Sequence, residues 1–264
     1  MCVYVTYTAK KGPISSDYSE KVDKGVKAFK SKKDIYAPIS DKESRNNGCH
    51  VESSYLCHGI WEKIMKNKKP LSTDNKIRWS SNETDELVFH FDIMNNPSMS
   101  NNVYSCGLFK ACNQKLREDA LNIYHSIGNM APIPWFKLAG TSYIDGQSLH
   151  KSLDERWDLF LQVLKDNWNK WNNECVNLTF ENYMIMTCQQ VYYEEIYIKA
   201  LKTGVENITL EHITDWNEHI SQDSVIISLS PKESENTDDI INKILQIIKM
   251  RCKIIHIMLE KEET

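Results

Sequence analysis

A chain of 264 residues, 41% hydrophobic and 26% charged, is long enough to bury a full core as one large domain or two small ones. Its net charge of -4 excludes a bulk basic field that would draw nucleic acid, and its apolar runs fall short of the roughly 20 residues that cross a bilayer. Eight cysteines at scattered spacings, with no secretory pattern, lead to the expectation of a reducing, cytoplasmic setting with mostly buried thiols.

The chain opens on Cys2 to Tyr7, β-branched and aromatic, which reads as a short strand closed by Gly12 and Pro13. Asp17 to Lys33 reads as a lysine-rich helix with a thin apolar face of Val22, Val26 and Phe29, and Asp34 to Gly48 as a polar loop. Cys49-His50 and Cys57-His58 pair the side chains zinc prefers, but their spacing departs from common structural sites. The alternative is a helix from Ser53 to Met65 that packs its cysteine as a small hydrophobe, so no metal ligand is assigned.

Lys76 to Ser80 and Glu86 to Met94 read as strands of a hairpin, with Leu87, Phe89, Phe91 and Ile93 on one face. Asn95 to Asn102 is turn-rich. Lys115 to Ser126 reads as an amphipathic helix stopped by Gly128 in a left-handed conformation, after which Pro132 and Pro134 hold the chain extended. His125 falls in the last helical turn, where the helix dipole favours its protonated form. In this stiff corner a fixed imidazole beside Ser126 and Asn129, with Tyr124 next to it in sequence, can donate to, accept from or position a substrate oxygen; the alternative is an ordinary helix stop with a surface or capping histidine.

Past Gly140 and Gly146 come Gln147 and His150. Ser152 to Glu155 fits a capping box that opens a helix through Trp157, Leu161, Leu164, Trp168 and Trp171. Arg156 near a helix N-terminus would help hold an anion; the alternative is a solvated helix face. These stretches carry two resemblances. Tyr124 to Pro134, Gln147 to His150 and Asp154 to Leu159 resemble an uncharacterised bacterial family with a small-Ile-Gly-x-x-x-x-Pro turn and an (Asp/Glu)-Arg-aromatic-Asp-Leu helix, and Trp61 to Leu71 resembles that family's Trp-Ser-Lys-Pro-Leu segment. The resemblance spans residues 50 to 195 and implies no activity. More loosely, Ile127 to Met130 is similar to the Gly-Asn-Leu-Thr-Leu turn of His-Asn-His-type nuclease domains, without their upstream His-rich metal segment.

Thr179 to Leu201 reads as a third helix closed by Gly204, Leu210 to His219 as a short helix, and Val225 to Leu229 as a short strand. Thr237 is expected to cap a last helix whose Ile241, Leu245, Ile248, Cys252, Ile255 and Leu259 make a heptad seam, packing either against the body or against another copy.

The expected class is α+β, mainly α-helical, with a small antiparallel sheet from the N-terminal half. The expected units are 1–48, a main domain 49–203 and a C-terminal appendage 204–264. Two functions compete. One is a hydrolase for a phosphate-containing or nucleic-acid substrate, with His125 and His150 catalytic and Tyr124, Asn129, Gln147 and Arg156 binding. The other is a non-catalytic binding or regulatory protein, of a toxin–antitoxin or phage-defence type, that self-associates through its last helix. Nucleotide or nucleic acid is the candidate partner, membrane is not, and no cofactor is named.

Overall fold

The computed structural model describes residues 16–31, 33–39, 55–65, 77–79, 87–95, 105–137, 143–172, 179–230 and 236–261. The strand expected at Cys2 to Tyr7 lies outside them, as do Cys49, His50 and most of the loop from Asp34 to Gly48. In chain order come α1 (Ser16–Lys30), α2 (Tyr55–Ile64), β1 (Ile77–Trp79), β2 (Leu87–Ile93), α3 (Ser105–Ala111) and α4 (Gln114–Ile123). A 3-10 turn at Ile127–Asn129 leads into β3 (Met130–Lys137), followed by β4 (Tyr143–Asp145), α5 (Gly146–Ser152), α6 (Trp157–Asn172) and α7 (Phe180–Met186). Then follow a 3-10 turn at Gln190–Tyr192, α8 (Glu194–Thr203), α9 (Leu210–Glu218) and α10 (Thr237–Lys261).

The fold is mainly helical. Its strands pair antiparallel in the order β1-β2-β3-β4. The expectation that strands come from the N-terminal half is corrected, because β3 and β4 lie past the helix α4 and close on β2 from the middle of the chain. Pro132 and Pro134 stand opposite Phe91 and Phe89, in a part of β3 that pairs on one side only, since β4 meets β3 from Trp135 onward. A missing N–H there removes no ladder bond.

Of the two arrangements expected for the last helix, the structure has the one packed against the body. Helix α10 buries Ile240, Ile241, Ile244, Leu245, Ile247, Ile248, Met250, Cys252, Ile254, Ile255 and Leu259 in the core of its own chain. It packs on the Ile127–Asn129 turn, α4, α2, α3 and α9. More apolar faces than one seam needs, set around a helix, make it a buried helix rather than one strand of a coil. Asn236, and not the expected Thr237, caps it, the Oδ1 accepting from the Asp239 N–H at 3.0 Å.

Three helix boundaries depart from the sequence pattern. Helix α4 ends at Ile123, and Ser126 opens the 3-10 turn instead of closing the helix. Ser152 ends α5, its hydroxyl donating back to the Leu149 carbonyl at 2.7 Å, so the capping box from Ser152 to Glu155 does not form. The expected helix from Thr179 to Leu201 is broken at Cys188, whose φ of 53° is left-handed. Thr179 does cap α7, accepting from the Asn182 N–H at 3.2 Å. The segment at Val225 to Leu229 makes a single antiparallel bridge, Tyr193 to Ile226, rather than a strand.

Candidate functional site

The residues singled out for chemistry fall at two corners of the fold. At the first corner, the end of α4 turns into β3. Asn129 is 1% exposed, and its side chain is fully engaged: Oδ1 accepts from the Asn95 backbone N–H at 3.1 Å and from the Asn95 Nδ2 at 3.3 Å, while Nδ2 donates to the Asn95 carbonyl at 2.8 Å and to the Tyr124 carbonyl at 2.9 Å. An amide with both donors and its acceptor engaged is a clamp between the β2 end and the α4 end. Tyr124 and His125 are half-buried, with ring centroids 4.2 Å apart, and the His125 carbonyl accepts from the Ile39 N–H at 2.9 Å.

At the second corner, α5 turns into α6. Arg156 forms a two-pronged pair with Asp158, Nε to Oδ1 at 3.1 Å and Nη2 to Oδ2 at 2.6 Å, with the arginine side chain 13% exposed and the carboxylate 4%. The same Oδ2 accepts from the Leu229 N–H at 2.9 Å. The predicted anion-binding arginine is therefore neutralised inside the chain and ties α6 to the 225–229 segment. Gln147 lies in α5, its side chain outside the described residues.

His150 is sealed against Trp157, edge-on at 4.9 Å between centroids, and against Phe160 at 5.5 Å. It is 1% exposed, and its Nε2 has no hydrogen-bond partner. Burial pushes its pKa from the usual 6.5 down to about 4, opposed by a hydrogen bond from the ring to the Glu155 backbone and helped by the Lys151 charge. The imidazole is neutral at pH 7, whereas unfolded chains would bind its proton near 6.5. Stability is then highest above pH 6.5 and is lost as the pH falls toward 4. The full loss is about 3 kcal/mol, of which about 2 kcal/mol is gone by pH 5. Urea midpoints at pH 7 and pH 5 are expected to diverge by that amount in the native chain and to draw together in His150→Phe.

Sequence reasoning missed the polar groups that organise the interior between these corners. Arg251, 0% exposed, donates from Nε to the Cys188 carbonyl at 2.9 Å, from Nη2 to the Thr187 carbonyl at 3.1 Å, and from Nη1 to the Gly128 carbonyl, with the Met94 sulfur 3.1 Å from Nη1. The Trp61 ring lies 5.8 Å from its guanidinium carbon. Burial lowers its pKa, yet an arginine keeps its proton in any accessible range. Thr187 caps α7 and Cys188 follows it, so both carbonyls lie at the C-terminal end of the helix, where a cation is favoured by the dipole. A signal was present: Arg251 falls three residues after Ile248 and three before Ile254, on the apolar stripe.

Beside it lies a buried amide network. Gln189 Oε1 accepts from Trp157 Nε1 at 2.9 Å, and its Nε2 meets the Thr187 hydroxyl at 2.8 Å and the Tyr183 hydroxyl at 3.0 Å; that phenol donates to the Pro132 carbonyl at 2.9 Å. Trp157→Phe keeps most of the apolar volume but orphans the Gln189 acceptor. It is expected to cost about 2 kcal/mol in a urea titration, and an unchanged midpoint would mean the bond carries nothing.

The contacts of the first corner run to Ile39 and Asn95, and those of the second to Trp157, Phe160 and Leu229. An open hollow among the described residues is lined by Leu210, Glu211, Thr214, Asp215 and Glu218 on α9, and none of the predicted site residues lines it. No group of three or more His, Cys, Asp or Glu able to hold a metal is found among the described residues, and Cys57 is buried in the core. No helix among them is long and apolar enough to cross a membrane. The chain matches no protein-family model, no curated protein and no solved structure.

Proposed function

We propose that this protein works by binding rather than by catalysis. One observation carries the reading: three of the polar groups that a hydrolase would aim at a substrate are engaged in the fold. Asn129 is saturated by Asn95 and Tyr124, Arg156 is paired with Asp158, and His150 is closed in by aromatic rings. A general base has to come within hydrogen-bond reach of the proton it takes, and a ring 1% exposed does not. Self-association through the last helix is not part of the proposal, because its seam of Ile241, Leu245, Ile248, Cys252, Ile255 and Leu259 is buried in cis.

The hydrolase reading rests on His125, which is half-exposed beside Tyr124 at the end of α4. The two readings separate in one assay. Bis-p-nitrophenyl phosphate, p-nitrophenyl phosphate and labelled single- and double-stranded oligonucleotides are offered with magnesium, manganese or zinc. The expected result is equal, background turnover for native protein, His125→Ala and His150→Phe. Native turnover that disappears in His125→Ala would overturn the binding reading.

A further inference from the structure

The α5–α6 junction combines features that the fold alone does not require. Asp154 and Glu155 are consecutive non-glycine residues at φ of 55° each, in the left-handed region. Each such residue is disfavoured by about fivefold relative to an ordinary conformation. The junction is held through His150: its carbonyl accepts from the Leu153 N–H at 3.2 Å and the Glu155 N–H at 3.0 Å, and its ring bonds the Glu155 backbone. The ring's other nitrogen, Nε2, is buried without a partner against Trp157 and Phe160. A proton added there would put an unsatisfied donor and a charge into an aromatic cage.

We propose that the α5–α6 junction is a proton-operated latch. Neutral His150 holds the left-handed pair Asp154 and Glu155 closed against α6. Protonation of the ring in mildly acid solution releases α5 and the junction. The Arg156–Asp158 pair keeps α6 fastened to Leu229 meanwhile, so the opening is local. Lys151 opposes a charge on the ring from α5 itself, and α6 contributes Asp158, already paired. The strands packed on α5 carry His90 and Asp92 in β2, Lys137 in β3, and Tyr143 and Asp145 in β4. These groups are unchanged in a His150 variant, so their titration cancels in the comparison.

Hydrogen exchange of the full chain between pH 7 and pH 5, corrected for intrinsic rates, tests the latch. Protection at Leu153, Asp154 and Glu155 is expected to fall by roughly twentyfold and to stay below that of α10 at both pH values, because α10 exchanges through the global unfolding that the same linkage weakens. In His150→Phe, and in His150→Gln as a second variant, protection at the junction is expected to stay level. Glu155→Gly relieves the left-handed strain of the closed form, so the opening midpoint should move about 0.7 pH unit lower, the equivalent of fivefold. Loss of protection that is identical in His150→Phe, or junction amides as strongly protected as α10 in the native chain, overturns the proposal.

Discussion

Gly128→Ala is expected to destabilise the protein by about 3 kcal/mol or more, although alanine is ordinarily the better residue at an unstrained backbone. A Cβ at this position would stand 2.2 Å from the Ile248 carbonyl oxygen, 2.6 Å from the Cys252 sulfur and 2.9 Å from the Cys252 nitrogen. Two of those are backbone atoms of α10, so no side-chain rotation relieves the clash. The helix would have to move, and it carries much of the buried apolar surface. The expected left-handed stop is therefore corrected: among the described residues only Gly204 is a glycine with positive φ, at 79°. Gly128 is glycine because the corner and α10 touch at backbone distance. Gly25→Ala is the companion measurement. It sits inside α1 with its new Cβ 3.4 Å from Leu56 Cδ1, and helix propensity alone should raise stability by about 0.5–1 kcal/mol. Urea titrations of the two variants moving in the same direction would remove the close-approach account.

Arg251→Ala is expected to abolish a cooperative unfolding transition at room temperature. Its guanidinium satisfies the Gly128, Thr187 and Cys188 carbonyls, which come from separate parts of the chain. Each buried acceptor left bare costs about 1–3 kcal/mol, and the cavity adds to that, against a total stability of about 5–15 kcal/mol. A methionine does not rescue the site. Where two side chains form a buried ion pair, both can be exchanged for apolar groups with little loss; here the partners are peptide carbonyls that no substitution removes. Lysine keeps the charge but reaches fewer acceptors than a planar fork, so Arg251→Lys should fall between, at about 2–3 kcal/mol. The decisive outcome is Arg251→Met: a native midpoint would show that the carbonyls find other donors and that the guanidinium is not the hub.

The same residue explains why the expected helix from Thr179 to Leu201 breaks. Turning the chain at Cys188 aims the Thr187 and Cys188 carbonyls at Arg251 and brings Gln189 under Trp157. The left-handed cost at Cys188, about 1 kcal/mol, is offset by those bonds. Burial also pushes the Cys188 thiol up to about 12 and Cys252 to about 11, so both are protonated and inert at pH 7.

Local physics made part of this molecule legible in the residues. The helices at Tyr55–Ile64, Leu210–Glu218 and Thr237–Lys261 follow from apolar spacing, because periodicity acts within a few residues, while their caps at Thr209 and Asn236 came from the structure. Proline at 132 and 134 foretold an extended segment for the same reason. What the spacing could not fix was the destination of each polar group. Asn129, Arg156 and His150 looked alike as chemistry-bearing side chains, yet one is a clamp, one is an ion-pair partner and one is sealed in an aromatic cage. Their partners, Asn95, Asp158 with Leu229, and Trp157 with Phe160, are set by how the elements dock. Gly128 and Arg251 make the point most sharply: a stop signal and a charge in the sequence became a backbone contact and a core hub only when α10 closed over the corner. Hydrogen bonding and desolvation depend on distance in space, and a chain order carries that information only over the few residues where the backbone geometry is already determined.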